Sequence, residues 1–189
     1  MRHRPWRVFL SYTSDLRQHP RGRSFAAAAE AAVVHAGHAV ADMTYFAAGD
    51  VTCVEHCARM VASADVYVGI IGLRYGTPAH GRPDLSYVEL EFELATRCGL
   101  PRFIFQIRAD APSLPPVRQS VEHCARQEAF RGRLRDTGAV ISYVVWPADL
   151  ELRVLHSLSE LRAESVAWAA LQVRCGQPTP IRGPMPPRS

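Results

Sequence analysis

Apolar residues along this chain follow two alternating patterns. Five short runs rich in Val, Ile, Phe and Tyr read as strands: Val8–Tyr12, Ala39–Met43, Val66–Gly72, Arg102–Ile107 and Val140–Trp146. Between them the spacing changes to that of helices. The third run, VYVGII, is apolar at nearly every position. A strand covered on both faces has that composition, so the sheet is expected to be parallel with helices on either side. The alternation as a whole predicts a doubly wound α/β domain.

Helix boundaries follow from capping residues. Ser24 is a candidate N-cap for a helix over Phe25–His35 that stops at Gly37. A second helix is expected near Thr52–Ser63, where Thr52 and Glu55 have capping-box spacing. Ser86 and Glu89 share that spacing and open a third helix, which runs to about Cys98 and ends at Gly99–Leu100–Pro101. The fourth is expected over Val117–Arg135, and Trp146–Pro147 opens a last, long one reaching about Arg174. Residues 1–165 thus read as the α/β domain and 166–176 as the end of the C-terminal helix. Residues 177–189 (QPTPIRGPMPPRS) have the composition of an extended linker towards a further module.

The third helix carries the most informative residue. Wound at about 100° per residue, SYVELEFELA puts Glu91 on the apolar side with Tyr87, Leu94, Ala95 and Cys98, and Glu89 and Glu93 on the opposite, wet side. A carboxylate facing a sheet is costly unless paired, so Glu91 is the leading candidate for chemistry, with an ion pair to Arg74 as the plain alternative. Glu89 is assigned to the cap, and Glu93 to a surface pair with Arg97.

Composition narrows the classes. A chain of 189 residues with 48% hydrophobic residues supports one sizeable core. A net charge of +4, without a run of cations, leaves nucleic acid unsupported as a partner. All 22 basic residues are arginine, which excludes a P-loop lysine and a Schiff-base lysine. The five cysteines are odd in number and scattered, as in a reducing cytosol, and no apolar run is long enough for a membrane span, so a cytoplasmic protein is expected. Cys53, His56 and Cys57, like His123 and Cys124, lack a further ligand at metal-site spacing and read as core cysteines and exposed histidines; no metal is expected. GIIGLRYG lacks the spacing of a dinucleotide fingerprint, so no resident cofactor is expected either. Asp65 and Asp84 read as turn residues.

In a doubly wound sheet, ligands bind beyond the carboxyl ends of the strands where strand order reverses, here between the first and third. The loops at that point are SYTSD and GLRYG, and the start of the third helix faces the same edge. Ser11, Tyr12, Thr13, Ser14, Asp15, Gly72, Arg74, Tyr75, Gly76 and Ser86 are therefore the nucleotide-binding candidates. Arg74 is suited to a phosphate, and Tyr12 or Tyr75 to a flat ring. Glu91 would face the sugar. Departure of a nicotinamide ring, already cationic, needs no general acid, so one carboxylate suffices to stabilise the charge growing at the anomeric carbon. NAD is thus a candidate substrate.

VFLSYTSD, DVYVGIIGLRYG and SYVELEFELA, in this order, resemble the TIR-like domain of uncharacterised function at the front of many bacterial STAND-type signalling NTPases, itself akin to Toll/interleukin receptor domains. The likeness is strong from Val8 to Ile107. It implies a flavodoxin-like sheet of order 2-1-3-4-5. For the catalytic members it implies cleavage of NAD by a glutamate in an E-x-x-x-A pattern, which here is Glu91 with Ala95. It also implies self-association, a downstream NTPase module and a role in bacterial signalling or defence. The usual Ser-x-Trp-Cys lead-in is replaced by Ser86-Tyr87-Val88-Glu89, and the Arg74–Leu85 loop is longer than its counterpart. Two other readings remain open: a non-catalytic self-association or sensing module of the same fold, and a nucleoside deoxyribosyltransferase-like enzyme using Asp84, Ser86, Glu91 and Ala95.

Overall fold

The computed structural model describes residues 4–41, 53–112, 114–137 and 139–174. In chain order the elements are β1 (Arg7–Tyr12), α1 (Asp15–Gln18), α2 (Phe25–His35), β2 (Ala39–Ala41), α3 (Cys53–Ala62), β3 (Val66–Ile71), β4 (Pro78–Ala79), β5 (Arg82–Ser86), α4 (Tyr87–Arg97), β6 (Arg102–Ile107), α5 (Val121–Arg135), β7 (Val140–Val144) and α6 (Pro147–Arg174). The main sheet has the order β2-β1-β3-β6-β7, parallel at every pairing. This is the doubly wound arrangement that the alternating pattern predicts, in the flavodoxin-like order that the resemblance implies.

Period-two alternation splits the core between the two faces of the sheet. Val8, Leu10, Val66, Val68 and Ile70 pack under α2 and α6, while Phe9, Tyr67, Ile71 and Ile104 pack under α3, α4 and α5. All six residues of β3 are buried, as its unbroken apolar run requires. The glycine within it has a steric reason: a Cβ at Gly69 would lie 3.0 Å from Tyr67 Cε1 and 3.1 Å from Ile104 Cδ1.

Several boundaries confirm the capping argument. Ser24 accepts from the Ala27 N–H at 3.1 Å, and Ser86 and Glu89 form a reciprocal capping box at the start of α4. Other expectations need correction. The fourth helix begins at Val121 rather than Val117, because Ser120 caps it by accepting from the His123 N–H. The Arg74–Leu85 loop contains an antiparallel hairpin, β4–β5, turned at Gly81 with φ +80°. Residues 42–43 of the second strand, the Thr52 cap and the linker over 177–189 lie outside the described residues. No helix among the described residues is long and apolar enough to cross a membrane.

Candidate functional site

α4 is positioned by the box at its N-terminus, and its inner face lies over β1 and β3. Glu91 projects from that face and is buried, at 5% exposure. Its Oε2 accepts a hydrogen bond from Ser11 Oγ at 2.5 Å. Ser11 stands opposite Gly69 in the β1–β3 register, so hydroxyl and carboxylate meet at the middle of the sheet's switch point. Arg74 makes no ion pair with Glu91. Tyr67, two residues before Gly69 on the same face, brings a fully buried hydroxyl with no hydrogen-bond partner. Burial first, and the nearby Glu91 charge second, outweigh the opposing contact with the Ser11 hydroxyl and hold that phenol well above the usual tyrosine range, so it stays protonated.

Glu89 departs from its expected wet position. It is 3% exposed, because α5 covers that side of α4 and Arg133 reaches Glu89 Oε1 in an ion pair. Its other oxygen accepts from the Ser86 N–H. Glu93 is exposed, as expected, but forms no ion pair with Arg97 among the described residues. Cys98 also departs: it caps the helix end in solvent instead of joining the apolar side.

A cleft of about 370 Å³ opens at the carboxyl edge of β1 and β3. Tyr12, Thr13, Ser14, Arg74 and Gly76 line it, as the sequence indicates. Thr77, Tyr87, Val88, Arg118, Gln119 and His123 complete it, none of which the sequence pattern marks as a ligand contact. Glu91 is not among the lining residues; it lies one helical turn beyond Tyr87 and Val88 on α4.

The remaining candidates are structural. Ser86 is the N-cap of α4. The Gly72 carbonyl accepts from Gln127 Nε2 at 2.7 Å and from Arg131 at 3.0 Å, which ties the end of β3 to α5. Asp15 opens α1, with its Oδ1 buried and unpartnered. Tyr75 is 1% exposed, its ring set between His123 at 5.3 Å and the Arg126 guanidinium at 5.9 Å, so it is a wall and cannot stack on a ligand. Tyr12 is held by Arg17, which lies over its ring and donates to its hydroxyl. Asp84 is exposed and forks with Arg82. Cys57 is buried, as expected, whereas Cys124 is exposed and its neighbour His123 lines the cleft.

Together these features define a doubly wound domain with a polar switch-point cleft and, one helical turn away on α4, a buried carboxylate. The chain belongs to the family described as "Domain of unknown function (DUF4062)", matched over residues 7–159. No curated protein matches it. Among solved structures it is similar to a CMP N-glycosidase, BcmB, of Clostridium botulinum, at 13% identity and a TM-score of 0.43, over 84% of this chain and 98% of that one.

Proposed function

We propose that the domain binds a nucleotide in the cleft between β1 and β3 and, when copies assemble, cleaves the nicotinamide–ribose bond of NAD with Glu91 as the charge-stabilising carboxylate. One observation carries this reading: an acidic side chain at 5% exposure that accepts from the Ser11 hydroxyl, one helical turn from residues lining a cleft at the sheet's switch point. Glu91 accepts from the neutral hydroxyl of Ser11 and lies one helical turn from Tyr87 and Val88, which line the cleft where a ribose would lie. A low-dielectric position strengthens its action on an oxocarbenium-like centre. The resemblance to TIR-like domains supports the same reading and adds a bacterial signalling or defence context, with a downstream NTPase module.

The test is NAD loss by artificially oligomerised protein. Turnover is expected in the wild type and lost in Glu91→Gln, with NAD binding retained in a ligand-observed NMR titration. Undiminished turnover in Glu91→Ala would overturn the assignment. A second reading, a sensing module that binds without turnover, is favoured by the absence of Glu91 from the cleft lining and by its existing bond to Ser11. Its mark is NAD binding and concentration-dependent assembly with no product in any state.

A further inference from the structure

The cleft carries two arginines, Arg74 and Arg118, and no carboxylate among its lining residues. Several arginines elsewhere in the domain have acidic partners, as Arg17 has Glu30, Arg82 has Asp84 and Arg133 has Glu89, and Arg131 donates to backbone carbonyls. Arg74 and Arg118 have no ion pair or hydrogen bond among the described residues. Between the two loops that bear the rest of the cleft sits Thr13, 7% exposed, with an Oγ1 that lacks any partner. Gly76 lies so near it that a Cβ there would come within 2.9 Å of Thr13 Cγ2, and its φ of +84° favours glycine independently. A buried, unmatched hydroxyl costs stability unless a ligand completes it.

Gln119 then anchors the backbone that carries one of the cations. Its Oε1 accepts from the Tyr75 N–H at 3.1 Å, and its Nε2 donates to the Leu73 carbonyl at 3.2 Å. These two bonds bracket residue 74 and hold its backbone from a segment 44 to 46 residues further along the chain. Arg118 precedes Gln119 directly, so one short stretch both anchors the backbone bearing the first arginine and supplies the second.

We propose that Arg74, Arg118 and Thr13 form a phosphate subsite in this cleft, and that Gln119 is a positioning residue acting through Arg74. Two forked guanidiniums and a hydroxyl match the oxygens of a diphosphate, each fork able to take two of them. The ligand class is therefore a pyrophosphate-bearing nucleotide and not a neutral nucleoside, which leaves both guanidiniums unanswered. This rests on the nucleotide reading of the cleft but not on Glu91 chemistry.

Binding of three probes to the whole chain, measured by calorimetry, tests it: NAD, its phosphate-free fragment nicotinamide riboside, and inorganic pyrophosphate. Pyrophosphate is expected to compete with NAD, and the riboside to bind at least about 30-fold more weakly, in line with the loss of charge-assisted hydrogen bonds. Arg118→Ala is expected to weaken NAD binding about tenfold and leave the riboside unaffected. Gln119→Ala is expected to weaken NAD in the wild-type background and to add nothing once Arg74 is alanine, since a positioning residue has no effect without the group it positions. Equal affinity for riboside and NAD, or an unchanged Arg118→Ala variant, would overturn the subsite. Additive losses in the Arg74/Gln119 pair would overturn the positioning role. Arg118 is exposed, so that arm does not depend on whether Gln119→Ala folds. If the arginines matter for binding but no NAD is cleaved in any state, the subsite stands and the catalytic reading fails. If Glu91→Gln abolishes turnover while the arginine variants bind NAD normally, the reverse holds.

Discussion

At the scale of single residues, the buried hydroxyl of Tyr67 separates packing from polarity. Its ring fills the space left by Gly69, between Phe9 at 6.1 Å and Phe92 at 6.1 Å between ring centroids. Its oxygen has no partner. Tyr67→Phe keeps the ring and removes only an unsatisfied polar atom, so the expected result is equal or greater stability, by up to about 1 kcal/mol in urea unfolding. A clear loss would mean that the hydroxyl is matched by a group such as Ser11. Gly69→Ala makes the opposite change, pushing a methyl into Tyr67 and Ile104, and is expected to cost about 1–3 kcal/mol in the same measurement. Glu91 was legible at this scale because a helical period reports which side of α4 faces the sheet. Tyr67 was not, because an aromatic in a central strand looks like any other core residue until its oxygen is found without a partner.

At the scale of elements, α4 shows what a helical wheel leaves out. The wheel assigns one buried face, and Glu91 obeys it. Glu89 does not, because a second neighbour, α5, closes over the other side and presents Arg133 from 44 residues away. No local pattern encodes that approach. The capping box, by contrast, is local and was readable from Ser86 and Glu89 alone, although here its glutamate serves both the cap and the ion pair. Ser86→Ala removes the hydroxyl that accepts from the Glu89 N–H, and it is expected to lower stability by about 1 kcal/mol with little effect on NAD affinity. Comparable loss of NAD binding would show that the start of α4 contributes to the cleft directly. The β4–β5 hairpin escaped for the converse reason: a strand of two residues is too short to show a period, and Gly81 was its one available signal. Arg118, Gln119 and His123 escape because the β6–α5 connection and the first turn of α5 reach the cleft only through tertiary folding.

Across the whole molecule, a cluster at the edge of the core layer under α2 and α6 gives the fold a pH dependence. His38, after α2, is 7% exposed and stacks on Trp6 at 4.8 Å, and the Arg162 guanidinium of α6 lies over the Trp6 ring at 5.2 Å. His38 Nδ1 accepts from the Trp6 N–H, which requires that nitrogen to be unprotonated. Burial first and the Arg162 charge second depress the His38 pKa below the usual histidine value, outweighing the opposing Gly37 backbone and Asp65. The unfolded chain therefore takes up the proton at higher pH than the folded one. Above about pH 6.5, the ordinary histidine value, both states are neutral here and the cluster's contribution is complete. As pH falls from there through the lowered folded value, the unfolded state gains protons first and stability declines. Thermal unfolding of the wild type is thus expected to show a falling midpoint below about pH 6.5. His38→Asn keeps an acceptor for the Trp6 N–H without a titrating ring, and the difference between the two pH profiles isolates this one group from the other histidines. A wild-type midpoint that falls in parallel with the variant's would place the acid sensitivity elsewhere and leave His38 as a packing residue only.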